Sequence, residues 1–281
     1  MAYCFKDKSC TNCLTKECVD TFDFLKTIKF EEVIGSGHQG IVVNAIHENK
    51  EIAIKFEILN SYPVTMTNRD KINCNSLWFQ IPGMAKLVRS YKEFSTRNLT
   101  MYKKTSTQDF EKECEFAQNI SNLKAGPNVL FNSVCIKGLE TKVGLVDVGI
   151  LAMEKYDFSL SDYIKALLQF PPLEFEKSLH TISQICKSLR KIGKRLPNFS
   201  HGDLHDENVL LLNIVKPKRR WRTVKVGLID FGFTQKMEGL PLYLEIENLI
   251  LYIKSKLFSV RFLVPISTKH YLKLFQFIQK M

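Results

Sequence analysis

The stretch His201-Gly-Asp203-Leu-His205-Asp-Glu-Asn208, with Ile229-Asp230-Phe231-Gly232 after it, decides how this chain is read. An apolar run from Val209 to Leu212 leaves the first string, and another from Val224 to Ile229 leads into the second. Each acidic group is therefore expected at the end of a short buried strand. Two aspartates and an asparagine are expected to meet there, which is the set that phosphoryl transfer from a metal nucleotide needs. One carboxylate accepts or orients the proton of the attacking hydroxyl, and a second carboxylate with an amide oxygen holds magnesium against the phosphates. The first role falls to Asp203 and the second to Asp230 with Asn208.

Upstream, Gly35, Gly37 and Gly40 form G-x-G-x-x-G between two strand-like runs. Glycines let a backbone turn sharply and approach phosphates, and Val42, just beyond, can roof an adenine. A dinucleotide-binding turn would be followed by a helix, whereas here a strand follows. The next strand reads Glu51-Ile-Ala-Ile-Lys55-Phe56. Strand alternation puts Ala53 and Lys55 on one face, with room for a flat base and reach to phosphates, and sends Ile52 and Ile54 into the core. A helix over 109–123 offers Glu111, Glu113 and Glu115 as partners for Lys55. Glu113 shares a helical stripe with Ala117 and Ile120, so it is the one expected to face inward.

Taken in this order, the strings resemble the protein-kinase signature: a glycine loop, an Ala-Ile-Lys strand, a helix glutamate, His-x-Asp with Asn five residues on, and Asp-Phe-Gly. The resemblance implies an α+β, two-lobed kinase-like fold, with an antiparallel N-lobe sheet plus one main helix and a mostly helical C-lobe. It implies ATP and Mg2+ as cofactors, and a hinge at Met153-Glu154-Lys155-Tyr156. There Met153 stands behind the adenine, and backbone groups of Glu154 and Tyr156 meet its edge. Ile34 and Leu210 fall at further nucleotide-binding positions.

The implied division is a Cys-rich extension over 1–29, an N-lobe over 30–153 with an insertion over about 58–108, and a C-lobe over 154–281. That C-lobe is expected to be shortened, since residues 233–281 after Gly232 contain no Ala-Pro-Glu. Activity without loop phosphorylation is expected. Compact kinases encoded by large DNA viruses, and some bacterial effector kinases, are similarly short, and the viral type is the one expected. His205 stands where serine/threonine kinases usually place lysine, and His-Gly-Asp-Leu-His is also similar to aminoglycoside and choline phosphotransferases. The expectation is a serine/threonine protein kinase acting on protein substrates. A small-molecule phosphotransferase is the alternative, and a non-catalytic kinase-fold scaffold is a third reading, opposed by intact Lys55, Asp203, Asn208 and Asp230.

Composition sets bounds around this reading. With 281 residues, 45% hydrophobic and 25% charged, the chain can bury a substantial core and is not disorder-like. No apolar run approaches a membrane span and the start lacks a signal-peptide core, so a soluble intracellular protein without membrane partners is expected, cytoplasmic or, if viral, in the virion. The net charge of +11 favours anionic partners without choosing among them. Lys216 to Arg222 could form a nucleic-acid patch, but a solvated hairpin tip is the reading adopted. Cys4, Cys10, Cys13 and Cys18 could form a Cys4 zinc clip around the C-x-x-C spacing, with tail thiols or a disulfide as alternatives. Cys74, Cys114, Cys135 and Cys186 read as core filler. The stretch 75–94 is too apolar for a free linker and is expected to form a helical element packed on the small lobe or on a partner.

Overall fold

The computed structural model describes residues 16–36, 40–64, 81–87, 105–141, 144–167, 172–213, 224–234 and 239–259, together with Gln276 and Gln279. It divides into two units, Met1–Glu115 with Asn128–Lys155, and Phe116–Pro127 with Tyr156–Met281.

The first unit is built on an antiparallel sheet whose strands are β1 (Lys29–Ser36), β2 (Gly40–His47), β3 (Lys50–Val64), β4 (Val129–Thr141) and β5 (Gly144–Glu154), in the order β1-β2-β3-β5-β4. Alternation sorts its two faces. Ile41, Val43 and Ala45 of β2, Ile52, Ile54 and Phe56 of β3, and Val148, Ile150 and Ala152 of β5 are buried together on one side. A sheet face this apolar needs a cover, and helix α1 (Lys16–Lys26) supplies part of it through Phe22 and Leu25. Thr21 Oγ1 donates to Ser133 Oγ at 2.8 Å and ties the helix to β4. Through Thr21, Phe22 and Leu25 the N-terminal extension therefore contributes to the core of this unit.

Ile81, Met84 and Leu87 add to the cover, so this part of the apolar insertion packs on the sheet. Residues 65–80 and 88–104 lie outside the described residues. Strand β3 continues to Val64, past the anticipated start of the insertion, and Leu59 bridges Thr105 in parallel. One cysteine differs from expectation. Cys135 is buried in this core, but its sulfur is engaged in a disulfide rather than being a free filler thiol.

Helix α2 (Thr107–Asn122) is started by Ser106, whose hydroxyl accepts from the Asp109 N–H at 3.0 Å and donates to its carboxylate at 2.7 Å. Its buried stripe is Phe110, Glu113, Cys114, Ala117 and Ile120. Phe110 lies so close to Gly149 of β5 that a Cβ there would sit 2.6 Å from its ring.

The second unit contains β6 (Phe158–Ser159), α3 (Leu160–Leu167), α4 (Pro172–Arg195), a single helical turn over Asp206–Asn208, β7 (Val209–Leu212), β8 (Lys225–Leu228) and α5 (Leu242–Ser259). The three strands form an antiparallel sheet in the order β6-β7-β8. Leu179, Ile182, Cys186, Leu189 and Ile192 are buried along α4 at helical spacing, as are Leu242, Ile246, Leu249, Ile250, Ile253 and Leu257 along α5. Arg190 of α4 donates to both carboxylate oxygens of Glu247 on α5, at 2.6 and 2.9 Å. The protein is thus α+β, with the kinds of element, in the order, that the resemblance implies. Among the described residues no helix is long and apolar enough to cross a membrane.

Candidate functional site

The residues expected to carry chemistry fall into two clusters, one on each unit. On the first, register fixes which side chains share a face: Val42 pairs with Lys55, Asn44 with Ala53, Ala53 with Met153, and Lys55 with Leu151. Lys55 therefore projects from the face opposite the apolar core, on the side where Phe110 of α2 packs. Its ammonium donates to Glu113 Oε1 at 2.6 Å. Of the three candidate glutamates on α2, Glu113 is buried and Glu111 and Glu115 are exposed.

Sequence reading did not single out a second carboxylate at this position. Glu57, two residues along β3 from Lys55, is fully buried, and its Oε1 lies 2.5 Å from the same ammonium. Neither Glu57 oxygen accepts a directed hydrogen bond, so this is a charge contact, while Glu113 takes the directed bond. The signal was available, since residues two apart on a strand share a face. Cys114, beside Glu113, has its thiol pushed up to about 12, chiefly by burial and then by the Glu113 charge, and is therefore unreactive.

The glycine loop is described in part. Gly35 closes toward Val42, and Gly40 is required sterically, because a Cβ there would overlap the Phe56 carbonyl. Gly37 lies outside the described residues. Ile34 is exposed, and Val42, Ala53 and Met153 are half-buried. At the expected hinge, the Glu154 N–H donates to the Asn128 carbonyl at 2.8 Å. Tyr156, counted with the second unit, is buried, with its hydroxyl 3.5 Å from the Gly126 carbonyl.

The second cluster is the loop from His201 to Asn208 with Asp230. Asn208, a buried residue, donates its side-chain N–H to the Asp203 carbonyl at 3.0 Å. Its backbone N–H reaches the His205 carbonyl, and the Ile229 N–H reaches the Asn208 carbonyl, both at 3.1 Å. With the amide nitrogen engaged, the remaining acceptor on that side chain is its oxygen. Asp230 has φ of 62°, a strained backbone for a non-glycine residue of the kind that occurs at functional positions. Asp203 is exposed, with His205 Nε2 at 3.9 Å from its carboxylate, and Leu210 on β7 is half-buried.

The loop is pinned from below. Glu245, in the first turn of α5, accepts from the backbone N–H groups of His201 and Gly202, one on each oxygen, at 2.8 Å each. Gly202 has φ of +80°, and a Cβ there would sit 2.4 Å from the Phe233 carbonyl. His201 is buried, and its Nε2 donates to the Ile229 carbonyl at 2.9 Å. Burial holds its pKa below the ordinary 6.5, against the pull of that bond and of Glu245, Asp230 and Asp203. Phe231 packs on the His201 ring and edge-on against Phe199. Glu245 gave no local sequence signal, being 44 residues from the backbone it holds.

An oxygen-only pair, one carboxylate and one amide, suits magnesium, which is usually held by one or two protein groups alongside substrate phosphates. Among the described residues no group of three or more His, Cys, Asp or Glu is arranged to hold a metal. Cys4, Cys10 and Cys13 lie outside the described residues, and Cys18 is on α1 with its side chain outside them, as is the basic stretch 216–222. Beyond Ser259 the structure describes only Gln276 and Gln279, both helical.

No protein-family model and no curated protein matches the sequence. Among solved structures, one titled "Structure of vaccinia related kinase 3" is similar to this chain, with 15% identity and a TM-score of 0.38. The match covers 74% of this chain and 48% of that one, so the chain spans about half its length.

Proposed function

We propose that this chain is an ATP-dependent phosphotransferase whose acceptor is a serine or threonine hydroxyl of a protein. The observation that carries the reading is the hydrogen bond from Lys55 to buried Glu113. An ammonium on a sheet face, held by a helix carboxylate and lying two register pairs along from a half-buried alanine, is suited to the α- and β-phosphates of a nucleotide whose base lies by Ala53. Asp203, Asn208 and Asp230 are the groups we assign to the metal and to the acceptor hydroxyl.

In this reading the acceptor oxygen bonds to the γ-phosphorus, and the bond from that phosphorus to the β–γ bridging oxygen breaks. The hydroxyl proton passes to the Asp203 carboxylate, and ADP leaves. Asn208 and Asp230 would hold magnesium, which when bound neutralises charge on the phosphate oxygens. Glu245 keeps the loop backbone in place for Asp203, and Lys55 orients the phosphates.

The specific observation favouring a second acceptor class is His205, whose imidazole faces Asp203 where a lysine is usual in serine/threonine kinases. A small hydroxylated metabolite is therefore the alternative. The two are separated by incubating the protein with labelled ATP and magnesium, with casein or histone in one reaction and aminoglycosides or choline in another. Label is expected on serine or threonine of the protein acceptors. Label on the small molecules alone would reassign the acceptor, and transfer to neither would contradict the phosphotransferase reading.

A further inference from the structure

The lysine cluster holds one cation against two carboxylates. Glu57 is the more confined of the two, because it is fully buried, accepts no hydrogen bond, and has no ion-pair partner among the described residues other than Lys55. A buried carboxylate in that condition is costly to leave alone, so it holds its cation firmly. Glu113 has the directed bond, at 2.6 Å. Two carboxylates thus face one ammonium at the position where phosphate oxygens are proposed to bind. An ammonium has only three donors to share among them.

We infer that Glu57 is a specificity-setting competitor for Lys55: its carboxylate occupies the ammonium in the nucleotide-free protein and opposes the phosphates that replace it. The inference rests on the proposed nucleotide reading and deepens it. Glu113 positions the lysine for phosphate, and Glu57 lowers the affinity for the charged part of the nucleotide while leaving the base untouched. A Glu57 that was merely a buried structural ion-pair partner would affect folding stability without discriminating between a nucleoside and its phosphates.

The test is calorimetric binding of ATP, ADP and adenosine, with magnesium, to the full chain as wild type, Glu57→Gln and Glu113→Gln, with thermal unfolding as a check on each. Removing the second negative charge from Lys55 is expected to tighten ATP and ADP by about tenfold, on the order of one like-charge contact at intermediate dielectric, and to leave adenosine unchanged. Glu113→Gln is expected to weaken ATP and ADP. Glu57→Met, which replaces the acid with an apolar chain of similar length, repeats the measurement if the amide variant does not fold. ATP binding by the Glu57 variants that is unchanged or weaker, or an equal gain for adenosine, would overturn the role of Glu57 alone. A wild type that binds ATP and ADP no better than adenosine would remove the phosphate-binding reading of Lys55, and this inference with it.

Discussion

At residue scale, Gly202 and His201 show why the loop carries these side chains and no others. Gly202 combines a left-handed backbone with a carbonyl at 2.4 Å from any added Cβ, so two penalties fall on the same substitution. Gly202→Ala is expected to destabilise the protein by about 2 kcal/mol or more in denaturant unfolding, and a cost under about 0.5 kcal/mol would contradict this geometry. His201 is a neutral, buried donor whose pKa is depressed by burial. As pH falls below 6.5, the unfolded chain takes up the proton first, so stability is complete above that value and declines beneath it. Wild type is expected to lose stability between about pH 6.5 and 5 more steeply than His201→Gln, which keeps a donor for the Ile229 carbonyl but cannot titrate. Equal pH slopes in the two proteins would refute this account of His201.

At the scale of elements, α5 supports the loop through Glu245. Glutamine at that position has one oxygen and can replace only one of the two carboxylate bonds to the His201 and Gly202 N–H groups, both at 2.8 Å. Glu245→Gln is expected to lower kcat by about tenfold to a hundredfold with little change in KM for ATP, because the change falls on the loop bearing Asp203. A rise in KM at constant kcat would argue instead for a role in nucleotide binding. The Arg190–Glu247 pair joins the same helix to α4, but its side chains are 36% and 44% exposed, so we assign it less than about 1 kcal/mol.

These elements also show where the sequence was legible. Lys55, Glu113 and the α4 and α5 stripes obey strict periodicities, so local spacing was enough to orient them. Glu245 reaches the loop through tertiary packing that no spacing encodes. The role of α1 as cover for the sheet was missed because the four cysteines of residues 1–29, rather than Phe22 and Leu25, dominated the reading of that segment. Cys135 was misjudged because an apolar neighbourhood looks the same around a thiol and around a buried disulfide.

For the molecule as a whole, one unit supplies a lysine set between two acids and the other supplies a braced acidic loop. The proposed phosphoryl transfer would give each cluster a use. Its acceptor was not legible because acceptor choice depends on shape and charge beyond the motifs, and the basic stretch 216–222 and the residues after Ser259, apart from Gln276 and Gln279, lie outside the described residues. The most direct test compares Asp203→Asn with wild type for magnesium-ATP binding and for transfer of the γ-phosphate. The account predicts that the variant binds ATP within about threefold of wild type and that transfer falls by at least about a thousandfold. Transfer that persists at the wild-type rate in Asp203→Asn would contradict it.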